Sequence, residues 1–316
     1  MNDLRAAAKV VVEQCLNVRP DEQVLIVIDT LQQEIGRVLL EASESAGAEV
    51  ILMEMTPRRN HGQEPPHSVA AAMLKADVAI LATSKSLSHT NARKEATKAG
   101  ARIASMPMIT TEIMARTLNG DYLKMSEQCA RYADAIENAK QIHITSPAGT
   151  DLCLSLSGRK AHQDVGILNN SGSMGNLPAG EVYAAPLEGT SEGVLVIDGS
   201  MAGIGILTEP LRINVRKGYA EEISGKDAEA LKAILGVYGR DAYNIAELGL
   251  GMNPKAIISG NVLEDEKIMG TVHIALGDNV SMGGTVSVPS HLDGIVLSPT
   301  LEVDGRLIIK EGKLIL

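Results

Sequence analysis

The feature that most constrains the fold is an alternation running from the start of the chain to about residue 145. Short apolar runs at residues 24–28, 50–55, 78–82 and 102–105 alternate with helical spacing over 31–46, 69–76, 92–99 and 111–118. Strands separated by helices predict crossover units on a mostly parallel sheet. Gly47 and Gly100 stand where helices should end before the next strand. Residues 121–139 read as one longer helix that closes this half.

The texture then changes. Ile142-His143-Ile144, a Pro147-Ala148-Gly149 turn and residues 152–156 predict a hairpin, with further strands at 194–197, 211–215 and 256–258. A helix is expected over 227–237, and the Asp304-Gly305 pair predicts a terminal hairpin turn. The expected organisation is an α/β N-terminal domain over residues 1–143 and a β-rich α+β catalytic domain over 144–316. A chain of 316 residues suits two domains.

Composition narrows the function classes. With no Phe, no Trp and six Tyr, the cores must be built from aliphatic residues and the 13 Met. Proteins that stack bases on aromatic platforms are disfavoured, and a net charge of -10 opposes a phosphate backbone, so no nucleic-acid partner is expected. Cys15, Cys129 and Cys153 are widely spaced and form no Cys-x-x-Cys pair, which fits a reducing compartment. The N-terminus carries Asp3, Arg5, Lys9 and Glu13 in a helical pattern instead of a signal sequence, and no apolar run is long enough to span a membrane. A cytoplasmic protein is expected.

Phosphate-cradling signatures are missing. Gly203-Ile204-Gly205 and Gly249-Leu250-Gly251 lack a third spaced glycine, Ser224-Gly225-Lys226-Asp227 is not a Walker loop, and no Gly-x-Ser-x-Gly elbow occurs. What remains is a concentration of imidazoles and carboxylates near the C-terminus: His273, the run Glu264-Asp265-Glu266, and His291-Leu292-Asp293. In extended backbone His291 and Asp293 face the same way, so two neighbouring strand ends can bring three ligands together. Nitrogen and carboxylate donors without thiolates suit a catalytic zinc, manganese, cobalt or iron ion. A second His-x-Asp, His162-Gln163-Asp164, shows that the spacing alone is weak evidence, and the acidic run also reads as a solvated turn. Glu181, after a Gly-containing loop, and Glu247, among apolar neighbours, are further candidate ligands; a turn position and a cap or salt-bridge role are the alternatives.

Taken in order, Asn-Leu-Pro-Ala-Gly-Glu181, Ala-Glu247-Leu-Gly, Glu-Asp-Glu266-Lys with Gly-Thr-Val-His273-Ile-Ala-Leu-Gly, and His291-Leu-Asp293 resemble the thermophilic-type metalloaminopeptidases, the family of aminopeptidases T and S. Ser88-His89-Thr90-Asn91-Ala92-Arg93 extends the likeness into the first half. The resemblance implies that Glu181, Glu247, His273, His291 and Asp293 hold two divalent ions (zinc, cobalt or manganese), with Glu181 or Glu247 bridging the ions or taking a proton from the attacking water. It further implies a homodimer acting on small peptides. Family peptidases carry a tyrosine shortly after the histidine matching His273; residues 275–280 contain none, and Tyr183 is the candidate replacement. The expectation is therefore an aminopeptidase-like hydrolase. The alternative is a relative of that family, a dihydroxypyridine ring-cleaving dioxygenase holding one Fe(II) on His273, His291 and Asp293.

Overall fold

The structure, a computed structural model, describes residues 2–316. Contacts divide the chain into two units, Met1–Ser126 with Asp164–Ala179, and Glu127–Gln163 with Gly180–Leu316. The expected class is found: an N-terminal α/β region with a parallel sheet and a β-rich C-terminal region.

The first unit is built on five strands in the order Glu49–Met55, Gln23–Asp29, Val78–Ala82, Arg102–Ser105 and Met174–Asn176, all parallel. Continuous apolar runs suit strands covered on both faces, and Val24 to Ile28 and Val78 to Ala82 are buried throughout. The helices start and stop where local chemistry dictates. Thr90 Oγ1 accepts from Arg93 N at 3.2 Å to open Asn91–Ala99, and Gly100 closes that helix with φ 112°, a left-handed position that glycine occupies without a steric penalty. Aliphatic and methionine side chains, among them Leu25, Val27, Met55, Met73, Leu81 and Ile103, form its core. A buried ion pair sits at the sheet's entry: the Arg102 guanidinium donates to both Glu22 oxygens at 2.9 and 2.7 Å and to the Leu16 carbonyl at 3.0 Å.

The fifth strand departs from the expected layout. Residues 164–179, expected in the C-terminal domain, pack with the first unit, and Met174–Asn176 pairs in parallel with Arg102–Ser105. Three residues carry too little periodicity to mark a strand in the sequence.

The second unit contains an eight-stranded and a seven-stranded sheet. The expected opening hairpin is Ile142–Thr145 with Asp151–Leu154, and the terminal one is Thr300–Val303 with Arg306–Lys310, turned at Asp304 and Gly305 with φ 48° and 79°. The seven-stranded sheet runs Gly205–Ile206, Ser200–Met201, His291–Val296, Val272–Gly277, Ile245–Gly251, Glu181–Ala184 and His162–Asp164. Its central pair, Ile245–Gly251 and Val272–Gly277, is buried at every residue.

Residues 256–258 are not a strand. They belong to a loop whose amides are taken by the acidic run: Ile257 N donates to Glu264 at 3.1 Å, and Ser259 N and Gly260 N donate to Asp265 at 2.7 and 3.0 Å. Asp265 also accepts from Ser200 Oγ at 2.6 Å. Glu264 and Asp265 are fully buried, so they are neither a solvated turn nor members of the ligand cluster, whereas Glu266 bonds to Lys267 beside it. Glu264 and Asp265 satisfy amides that would otherwise be buried without partners. Among the described residues no helix is long and apolar enough to cross a membrane.

Candidate metal centre

The candidate ligands come from four adjacent strands of the seven-stranded sheet, and strand register decides which of them meet. Antiparallel pairing sets Glu247 opposite Ala275 and Ala275 opposite Asp293, aligning the two carboxylates across the Val272–Gly277 strand. A register shift lies between Ile245 and Glu247, a bulge of the kind that re-aims a side chain at a sheet face. His273 pairs with Gly249, and Gly249 with Tyr183; Glu181 pairs with Gly251, and His291 with Gly277. Because alternate residues share a face, Glu181, Glu247, His273, His291 and Asp293 all project from one side of the sheet. The positions between them on that side are Gly249, Gly251, Ala275 and Gly277, and the space above the glycines is taken by neighbouring groups: the His273 ring over Gly249, the Ile268 backbone over Gly251 and the Ser290 carbonyl over Gly277.

All five residues are thus brought together. His273 Nε2 lies 3.3 Å from Glu247 Oε1 and 3.4 Å from Glu181 Oε2; His291 Nε2 lies 3.2 Å from Glu247 Oε2 and 3.5 Å from Asp293 Oδ1. Two overlapping sets, Glu181-Glu247-His273 and Glu247-His291-Asp293, each present ligand atoms within 4.8 Å of one another. His273 is completely buried, whereas about a third of the His291 side chain (34%) is exposed, so His291 marks the side open to a ligand. The His291 Nδ1–H donates to the Asp278 carbonyl at 2.8 Å, which leaves its Nε2 lone pair for the cluster. The donor set of imidazole nitrogens and carboxylate oxygens, without sulfur, fits a first-row divalent ion.

One partner was not legible as such in the sequence. Lys267 is buried, and its ammonium donates to Glu181 Oε1 and Glu266 Oε1, each at 2.6 Å. The signal was a lysine beside an acidic run. The three cysteines are all free, and burial together with the Asp164 charge pushes the Cys15 thiol far up, which disqualifies it as a nucleophile.

The electrostatics of the cluster favour protonated imidazoles beside ionised carboxylates. Burial opposes ionisation of Glu247, but hydrogen bonds and positive charge from His273 and His291 outweigh it and draw the carboxyl down to about 2. Burial likewise opposes a charged His273, yet the bond to Glu247 and the Glu181, Glu247 and Asp293 charges push it up to about 9. His291 rises well above its ordinary value despite burial, chiefly through the Asp293 charge, and that pairing lowers Asp293 against its own burial. A coordinating imidazole must be neutral, so metal uptake has to expel these protons. Apparent metal affinity is therefore expected to climb with pH from neutrality, by about tenfold per pH unit for each proton released, with the His273 contribution levelling off at about 9. Titration of metal into weakly buffered protein, with proton release read by an indicator dye, checks it; uptake without proton release would contradict this charge distribution.

A family model described as NicX, 2,5-dihydroxypyridine 5,6-dioxygenase, matches residues 3–316. The chain belongs to this dioxygenase family. The 2,5-dihydroxypyridine 5,6-dioxygenase of Pseudomonas putida KT2440 is 25% identical over 246 residues, covering 72% of this chain and 69% of that protein. The solved structure of the 2,5-dihydroxypyridine dioxygenase from Pseudomonas putida KT2440 superposes with a TM-score of 0.80 at 20% identity, over 99% of this chain and 96% of that one. Wild-type AmpT from Thermus thermophilus superposes with a TM-score of 0.74 at 17% identity, over 100% and 99%. The aminopeptidase structure therefore shares the fold, as the sequence resemblance implied.

The expected activity is corrected. An aminopeptidase-like hydrolase is overturned by the dioxygenase family match over nearly the whole chain, and the classification as a zinc or cobalt metalloprotease goes with it. The physical reason lies in what the ordered motifs encode. They specify the strands and a candidate set of nitrogen and oxygen ligands, and one such set supports water activation or oxygen chemistry according to the metal and the open positions left on it. The absence of a tyrosine after His273 was the feature on which the sequence reading kept the dioxygenase as its alternative.

Proposed function

We propose that this chain is an iron-dependent dioxygenase that opens the ring of a 2,5-dihydroxypyridine or a closely similar hydroxylated nitrogen heterocycle. The observation that carries the reading is a cluster in which Glu247 links His273 to the His291–Asp293 pair, placing two imidazoles and a carboxylate on two adjacent strands in a chain of this family. These three would hold one ferrous ion as a facial triad, in place of the two ions implied by the peptidase resemblance. Such an ion, when bound, supplies a site where dioxygen and a ring hydroxyl meet.

The chain's own groups prepare that site. The Asp278 carbonyl holds His291 in the tautomer whose Nε2 faces the cluster. Glu247 reaches both imidazoles through its two oxygens and orients them. Glu181 is held by the buried Lys267 ammonium, which compensates its charge. Gly249, lacking a side chain, leaves room for the His273 ring to lean across the sheet face. The test is metal analysis of protein prepared without chelators, combined with oxygen uptake on 2,5-dihydroxypyridine. One iron per chain and one dioxygen consumed per ring lost are expected; an iron-loaded chain that consumes no oxygen with this substrate would overturn the proposal.

A further inference from the structure

In a chain with no Phe or Trp and only six Tyr, aromatic side chains are scarce, yet one is stacked against a histidine in the row that bears the ligands. Tyr183 and His162 lie on neighbouring strands of the seven-stranded sheet with ring centroids 5.4 Å apart and planes inclined by 23°. Tyr183 shares a face with Glu181, two residues away, and its cross-strand partner is Gly249, whose other partner is His273. The His273 ring leans over Gly249, because a Cβ placed there would fall 1.8 Å from Nε2. The metal-facing nitrogen is therefore carried toward the Tyr183 strand and ends about one strand spacing, ~5 Å, from it. Rings stacked between neighbouring strands have their faces turned along the sheet. His162 covers one face of Tyr183, and the strand on the tyrosine's other side carries Gly249 with the His273 ring above it. Both residues are half-buried, so the pair keeps partial contact with solvent.

We infer that the Tyr183–His162 stack is the side wall against which the substrate ring lies: Tyr183 is a specificity-determining contact for a planar aromatic ring, and His162 is the positioning residue that holds the tyrosine upright. This deepens the dioxygenase reading and rests on it for the identity of the ring. Stacking rewards a flat π-system whichever atoms it carries, so the wall selects aromatic over saturated ligands, and the metal selects for the hydroxyl.

The test is equilibrium binding without oxygen, which separates ring recognition from turnover. Iron-loaded wild type, Tyr183→Phe, Tyr183→Leu and His162→Gln are titrated anaerobically with 2,5-dihydroxypyridine, with iron content measured for each. Tyr183→Phe keeps the stack and is expected to bind within about twofold of wild type. Tyr183→Leu is expected to bind roughly three- to tenfold more weakly, the worth of one aromatic pair, with iron content unchanged. His162→Gln is expected to fall between them, and His162→Tyr, which restores a ring at that position, to bind more tightly than His162→Gln. Equal binding by wild type and Tyr183→Leu at equal iron content would overturn the wall and leave the dioxygenase reading standing. Weaker binding in Tyr183→Leu by a protein that binds the ring but consumes no oxygen would support the wall and sink the dioxygenase reading. Failure of wild type to bind the ring would overturn both.

Discussion

Asp293→Ala is expected to abolish both iron retention and ring cleavage while leaving the first unit folded. Asp293 is the one carboxylate of the proposed triad and lies 3.5 Å from His291 Nε2, at a nearly buried position where water cannot readily replace its oxygens. Removing it deletes a ligand and also leaves the raised His291 without the charge that holds it. Loss of a partner that merely orients a ligand costs about 10- to 100-fold in metal affinity or activity, so loss of a ligand should exceed two orders of magnitude. His291→Ala should behave alike. Iron per chain after gel filtration, oxygen uptake and the far-ultraviolet circular dichroism spectrum check the expectation together; a variant that keeps its iron and its turnover would remove Asp293 from the triad.

Gly249→Ala should be nearly as damaging, although residue 249 carries no functional group. The added methyl would sit 1.8 Å from His273 Nε2, 2.1 Å from Cε1 and 2.6 Å from Cδ2, on a fully buried central strand. Neither strand can move without disturbing its ladder, so the imidazole has to swing out of the cluster. Overpacking a dense core costs about 1–3 kcal/mol, and here the displaced group is a proposed ligand as well. The expected result is a lower denaturation midpoint together with loss of iron. Wild-type iron content in Gly249→Ala would show that the imidazole has another position from which to bind.

These two positions mark how much of the site was legible in the sequence. His291 and Asp293 were legible because a period of two puts residues i and i+2 on one face, and that rule needs only local extended backbone. Glu181 and Glu247 stood out as acids beside apolar or Gly-containing segments, but their spacing could not say what they faced. Gly249 appeared only as part of an incomplete glycine motif, since its role is set by a histidine 24 positions later in the chain. Residues 264–266 show the same limit from the other side. An acidic run near histidines suggests ligands or solvent, and its amide partners at 257–260 become visible only when the loop folds back on it.

Taken alone, the sequence determined the parallel α/β unit, the β-rich unit after it, the helix stops at Gly47 and Gly100, the terminal Asp304-Gly305 turn, and a nitrogen–oxygen ligand set without thiolates. All of these follow from local periodicity, turn chemistry and side-chain identity. Tertiary structure alone decided that Met174–Asn176 returns to the first sheet, that Glu247, Ala275 and Asp293 align across three strands, that Lys267 is buried against Glu181, and that Tyr183 stands on His162 beside the cluster. The reason is that alternation along a strand sets the face a side chain takes, whereas its neighbours are set by register with strands far away in the chain, and register emerges only when the whole sheet packs.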